Sequence, residues 1–378
     1  MTNNFSRPTG PLASSGPLAG VRILEIAGVG PVPHAAMLLA DMGADVVQIG
    51  RHGSTAELHG GYKQHVARGR TIIETDLKDP TEVAHVLTLV EKADVLIEGF
   101  RPGVAERLGL GPDECATRNP GLIYARMTGW GQAGPAAKRG GHDINYLAMT
   151  GHLHAMARNG ERPQAPLNLV GDFGGGSMFL VVGILAALFE RVHSATGQTI
   201  DAAMVDGASV LGHMIWALRG AGQWNDTPGT NMLDGGYPFY DTYETSDGRY
   251  MAVGALEPQF FAELVQGLGL DPTVVPGRFE TERWDEMREI FTTTFMTRTR
   301  DEWARIFEPL DACVSPVLDY DEATDDQHLI ARGTLIELNG ITQPAPAPRF
   351  SRTPSPVPRF GSPQRRAFSD VWIEPVRD

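Results

Sequence analysis

The feature that most constrains this chain is the alternation of short apolar strands with helix-like segments between Val21 and Arg126. Val21 to Ala27 (VRILEIA) reads as a strand, followed by a turn from Gly28 to Pro33 and a helix from His34 to Met42 that Gly43 stops. Asp45 to Ile49, Thr71 to Glu74, Asp94 to Glu98 and Leu122 to Arg126 read as further strands, with a helix at Pro80 to Ala93. Strands this continuously apolar are covered on both faces, and a parallel sheet between helical layers covers them. A doubly wound α/β domain is expected.

Met178 to Phe189 is the longest apolar run, and Glu190 and Arg191 end it. A bilayer needs roughly 20 such residues, so the run reads as a buried helix and no membrane insertion is expected. Asp206 to Arg219 reads as one amphipathic helix, and Gly220 to Gly236 is polar and turn-rich. A hairpin follows at Tyr240 to Val253 around Ser246-Asp247-Gly248, then helices at Pro258 to Leu268, Asp285 to Thr297 and Arg300 to Leu310. The Pro-rich stretch from Gln343 to Pro363 is expected to lie extended over another surface. The domain reading is a flexible tail at 1–17, a large domain at 18–204 plus 330–378, a linker at 205–232 and a small α+β domain at 233–329.

Charge and cysteine usage narrow the function. With 32 Lys and Arg against 46 Asp and Glu, the net charge is −14, a poor match to nucleic acid or an anionic membrane. A phosphorylated ligand would need a local basic pocket. Arg51 follows the second expected strand, Arg68, Arg70 and Lys78 flank the third, and Arg101 and Arg107 follow the fourth; loops after parallel strands gather at the carboxyl edge of the sheet, where α/β domains bind ligands. These cations could converge on such a ligand or pair with local acids. Cys115 and Cys313 show no CxxC spacing; they read as two free thiols in a reducing, cytoplasmic setting.

Two motifs fail on inspection. Gly28 and Gly30 open a strand-to-helix turn, but Pro33 stands where a dinucleotide fingerprint needs its third glycine, and Gln48 or Gly50 where it needs an acid. Asp172-Phe173-Gly174 matches a kinase triplet with no other kinase element. The glycine-dense stretch from Gly129 to Ser177 carries His142 and Asp172, both beside glycines and both just ahead of helix-like runs. A histidine and a carboxylate suit proton transfer. Equally, Asp172 could cap the helix starting near Ser177, and His142 could be a hydrogen-bonded structural residue. Asp143, His152 and His154 lie nearby, but in no metal-binding spacing.

The chain resembles the family III CoA-transferases, and within them the racemase branch. The residues that carry this are Gly141-His142-Asp143-Ile144-Asn145-Tyr146, Pro166 to Met178 (PLNLVGDFGGGSM), Ala202 to Ala208 and Glu98 to Val104. The resemblance implies a Rossmann-like large domain completed by the C-terminal segment, a smaller α+β domain, and an interlocked homodimer. It implies exchange of the α-proton of 2-methylacyl-CoA thioesters, with acyl-CoA as substrate and no metal or organic cofactor. His142 and Asp172 fall on the two bases, and Glu257 on the glutamate that partners the histidine. CoA contacts carry over to Arg51, Thr75, Asp76, Leu77, Lys78, Gly99, Phe100, Arg101 and Arg107, and to Gly141, Asp143, Ile144, Asn145 and Tyr146. The chain departs from the pattern at Gln48, at Gly50-Arg51-His52, and in a longer segment from His52 to Val66, all at the nucleotide end. Transferases of the family use the equivalent aspartate as a nucleophile, which leaves a second reading for Asp172. His142 with Glu257 favours the racemase, because a transferase needs no second base.

Chemistry adds three expectations. Backbone N–H groups from Asp172 to Ser177 would stabilise an enolate. Reference pKa values of about 3.9 and 6.5 favour an ionised Asp–His pair by about 3.5 kcal/mol, so apolar surroundings are expected to raise the affinity of Asp172 for its proton. Met149, Met156, Met178, Met214 and Met232 are candidates for an adaptable acyl surface.

Overall fold

The computed structural model describes residues 15–26, 28–53, 65–359 and 367–372. Most of the expected N-terminal tail and of the lengthened segment after His52 lie outside the described residues. The chain divides into two units: residues 1–150, 166–211 and 344–378 form the first, and 151–165 with 212–343 the second.

The first unit is built on a six-stranded parallel sheet, ordered β3-β2-β1-β4-β5-β6. Its strands are β1 (Arg22–Ile26), β2 (Asp45–Gly50), β3 (Arg70–Glu74), β4 (Val95–Glu98), β5 (Ile123–Thr128) and β6 (Thr199–Ala203). Ile23 of β1 stands opposite Val46 of β2 and Val95 of β4, so the order reverses beside β1. Side chains alternate between two cores. Ile23, Val46, Val95, Ile97 and Ile123 face the helices Pro31–Asp41 and Met178–Ser194. Leu24, Val47, Leu96 and Tyr124 face the helix Pro80–Val90. The strands are therefore apolar at nearly every position, as the sequence indicated. The edge strand β6 was not anticipated; Thr199 and Asp201 are exposed and break its apolar signal.

Among the described residues, six of the seven buried charges of this unit form ion pairs, Asp143 being the exception. Glu25 and Arg70, 2.9 Å apart, are inaccessible to solvent, and Arg70 also donates to the carbonyls of Pro33 and Val66. Arg68 meets Asp41 at 2.5 Å, and Arg126 meets Glu98 at 2.8 Å. Of the two readings open for Arg68 and Arg70, pairing with acids is the one the fold uses, though in buried pairs and not at the surface. Their carboxylate partners come from β1 and the first helix, too distant in sequence to be foreseen. The C-terminal stretch forms no helix or strand over residues 345–359, but it loops back instead of running extended: the Gly69 N–H donates to the Arg359 carbonyl, and Arg68 to that of Pro344.

The helix Met178–Ser194 continues a nine-residue π-helix, Leu169–Ser177. Together they span 26 residues, long and apolar enough to cross a membrane by length and composition, so the length argument from the sequence does not hold. Its packing shows its role in the fold. Leu180, Val181, Ile184 and Ala187 are buried against the sheet, whereas Met178, Val182, Phe189 and Val192 are exposed. The expectation of a wholly buried helix is correct for one face only.

The second unit holds a three-stranded antiparallel sheet of β7 (Tyr240–Glu244), β8 (Tyr250–Gly254) and β9 (Val314–Pro316). The expected hairpin is present, with Tyr240 opposite Gly254. Helices Pro258–Gly267, Trp284–Phe295 and Arg300–Phe307 cover it, with Phe291, Phe295 and Trp303 in the core. Thr299 and Glu302 cap the last helix reciprocally. A two-stranded sheet of β10 (Leu335–Leu338) and β11 (Ile341–Pro344) follows. The helix expected from Asp206 to Arg219 is instead two, Met204–Leu211 and His213–Gly220. They part at Gly212, where an added Cβ would lie 1.8 Å from the His152 ring. That ring takes the space a side chain would need.

Candidate active site

In an open parallel sheet the loops beyond the strand ends form a crevice where the strand order reverses. Here the loops at that point are Gly28–Gly30 after β1 and Gly99–Arg101 after β4. His142 and Asp172 come to the same edge on separate segments.

His142 precedes the helix Asp143–Met149 in extended backbone, and its N–H donates to Asn145 Oδ1 at 3.0 Å. The side chain is exposed. Asp172 lies inside the π-helix, so it does not cap the following helix. Its N–H donates to Asp143 Oδ2 at 2.7 Å, its carboxylate bonds the Asn168 side chain, and a Cβ on Gly30 would lie 3.4 Å from its Oδ2. Gly30 has φ of 67°, which a side chain would strain even with space to spare.

Asp172 holds its proton more tightly than an ordinary aspartate. Burial is the main cause and the Asp143 carboxylate the second, opposed by Asn168 and by the charge of His142. The direction expected from the sequence is what the structure gives, and the Asp143 contribution is new.

The glycines of this stretch serve close packing, not a loop. A Cβ on Gly175 would lie 2.6 Å from the Ala208 nitrogen, and one on Gly171 would lie 2.6 Å from Asp143 Oδ2. In a π-helix backbone N–H groups donate five residues back. The groups from Gly174 to Ser177 are therefore engaged internally, and that of Asp172 is held by Asp143. The expectation that this run stabilises an enolate is corrected accordingly.

The carried-over CoA residues divide into two kinds. Asp143 and Tyr146 are buried and shape the loop. The Tyr146 hydroxyl donates to the Gly141 carbonyl at 2.6 Å, and its ring meets Trp130 edge-on at 4.8 Å. Burial first, then Asp172, pushes its pKa up to about 12. Thr75 is buried and donates to Glu82 at 2.5 Å, Leu77 packs on the core, and the Phe100 N–H donates to Glu98 at 2.6 Å. Gly99 is held close, since a Cβ there would lie 2.9 Å from Val32. The outward-facing set is Arg51, Asp76, Lys78, Arg101, Arg107, Ile144 and Asn145. Arg101 is near the histidine loop: its guanidinium would stand 3.4 Å from a Cβ on Gly140, and its charge reaches Tyr146.

Glu257 lies in the second unit, exposed, as N-cap of the helix Pro258–Gly267, with its charge felt by Cys313. Of the methionines, Met149, Met178 and Met214 are exposed. Among the described residues no group of three or more His, Cys, Asp or Glu could hold a metal ion. The sequence reading missed Gly30, Asn168 and Glu82. Gly30 had a signal in its strand-to-helix turn; the other two act through contacts that spacing does not reveal.

A family model described as CoA-transferase family III matches residues 18–365. Alpha-methylacyl-CoA racemase of Mus musculus is 47% identical over 339 residues, 89% of this chain and 87% of the mouse protein. Its Homo sapiens counterpart is 44% identical over 345 residues, 91% and 88% of the two chains. The crystal structure of a CAIB/BAIF family protein from Brucella suis superposes with a TM-score of 0.78 over 92% of this chain and 97% of that one, at 24% identity, and shows the same fold. On the length and level of these matches, the chain belongs to CoA-transferase family III.

Proposed function

We propose that the chain is an isomerase that interconverts the two configurations of α-methylacyl-CoA thioesters by moving one proton at the α-carbon. The observation that carries this is the likeness to racemases over nine-tenths of the chain, with both His142 and Asp172 present at one sheet edge. Neutral His142 removes the α-proton from one face, leaving an enolate. Protonated Asp172 then gives its proton to the opposite face, and the reverse direction exchanges the roles. The raised proton affinity of Asp172 supports this, because it narrows the gap between the two resting protonation states. Glu257 is assigned the orientation of the histidine ring. The exposed cations Arg51, Lys78, Arg101 and Arg107 are assigned the CoA phosphates.

A homodimer is part of the proposal. The exposed stripe Met178, Val182, Phe189 and Val192 runs along one helix face and is an apolar surface of the kind a second copy covers. A cytoplasmic site fits the two unpaired cysteines. The test is incubation of one enantiomer of a 2-methylacyl-CoA in D₂O, following deuterium at the α-carbon by NMR and configuration by chiral analysis. Deuteration with loss of stereochemical purity, needing no acceptor acid, is the expected result. No exchange, but CoA transfer once a free carboxylate is supplied, would overturn it and make Asp172 a nucleophile.

A further inference from the structure

The helix Pro31–Asp41 carries His34, a residue the proton-transfer scheme does not use. Its Nδ1 lies 2.7 Å from Ser177 Oγ, and its ring stacks on Phe173 at 4.1 Å with 21° between the planes. Phe173 follows Asp172 directly, and Ser177 ends the π-helix. Ser177 is fully buried, and its hydroxyl donates to the Phe173 carbonyl at 3.0 Å. A serine hydroxyl has one proton to give. With that proton spent on Phe173, the His34 Nδ1–H must be the donor to Ser177. The ring is also kept neutral: burial, then Arg68 and Arg70, push its pKa down to about 4.

These contacts bear on the helix register. In an α-helix the Phe173 carbonyl would accept from the backbone N–H four residues on, that of Ser177. Here the Ser177 hydroxyl takes that place, and the backbone bond passes to the Met178 N–H, five residues on. A hydroxyl inserted into the ladder is a recognised cause of such deformation. We propose that His34 is a positioning residue for Asp172: by fixing the Ser177 hydroxyl on the Phe173 carbonyl, it holds the π register that aims the carboxylate. The proposal rests on the racemase reading and deepens it.

The test compares steady-state kinetics of His34→Phe, His34→Asn and Ser177→Ala with the wild type, each checked for folding by circular dichroism. Phe keeps the stack and loses the hydrogen bond; Asn keeps a donor near the Nδ1 position. His34→Phe should lower kcat about 10- to 100-fold with KM within about twofold, the size of loss that small misplacement causes. His34→Asn should recover kcat to within about threefold of wild type, and Ser177→Ala should match His34→Phe, with no further loss in the double variant. Unchanged kcat in a folded His34→Phe, no recovery with Asn, or additive losses would each overturn the proposal. If His34→Phe does not fold, wild-type kcat in Ser177→Ala overturns it alone. A wild type that exchanges no α-proton defeats the functional reading instead, so the two failures are distinguishable.

Discussion

Arg68 and Arg70, at the amino end of β3, and Arg101 and Arg107, beyond the carboxyl end of β4, look alike in sequence and behave oppositely in the fold. The first two are buried on Asp41 and Glu25; the second two are exposed. A guanidinium leaves water only where a carboxylate waits at bonding distance, because an unpaired buried charge costs several kcal/mol. The buried pair is therefore committed to structure. Arg70 grips the Pro33 carbonyl, next to His34 and close to the turn that meets Asp172. The exposed pair retains donors for a ligand. The two ends of the strands thus separate arginines held in ion pairs from arginines that stay exposed.

The separation predicts that folding and chemistry come apart on mutation. The largest effect belongs to His142→Ala, which should lower α-proton exchange by about 10²- to 10⁴-fold while calorimetry finds CoA affinity unchanged. Loss of CoA binding instead would return His142 to a structural role. Next is Arg70→Met, which leaves Glu25 buried with the Gln48 amide but no cation and should cost about 3–5 kcal/mol by urea unfolding. Adding Glu25→Leu should restore most of that. Arg101→Ala should leave the urea midpoint alone and raise the KM for acyl-CoA about tenfold, the value of a charged hydrogen bond. Should Arg70→Met weaken CoA binding at unchanged stability, the distinction between the two pairs is lost.

The smallest effect concerns pH. Asp172 binds its proton more tightly folded than unfolded, so its ionised form is a burden on the native state. That burden is absent below the unfolded pKa of about 3.9 and complete once pH has risen through the folded value. Asp172→Asn should therefore have a higher Tm than wild type near pH 7 and an equal Tm near pH 3.5. Equal Tm values at both would mean that the carboxylate is not strained by its surroundings.

Much of the first unit was legible because its strands are buried on both faces, and burial writes itself into sequence as unbroken apolar runs such as Val95-Leu96-Ile97. His142 and Asp172 stood out as polar residues among glycines. The π-helix was not legible, since Gly171, Gly174, Gly175 and Gly176 signal a loop by local propensity. Their purpose is contact with a distant segment: a Cβ on Gly207 would lie 1.9 Å from the Gly175 carbonyl. The fates of Arg68 and Arg70 were hidden for the same reason, as each depends on a carboxylate brought near only by the completed sheet. Gly212 was passed over because a single glycine is tolerated in a helix, and only His152 makes it a break.

The π-helix that displays Asp172 also has a consequence for descent. A π turn holds one residue more than the α turn it replaces, and one residue turns a helix by about 100°. Insertion or loss of a single codon between Leu169 and Ser177 would thus swing the carboxylate to another side of the helix axis while sparing the apolar face beyond Met178. Among related chains, the number of residues in this short stretch reports the direction of the acid as surely as the identity of the residue does.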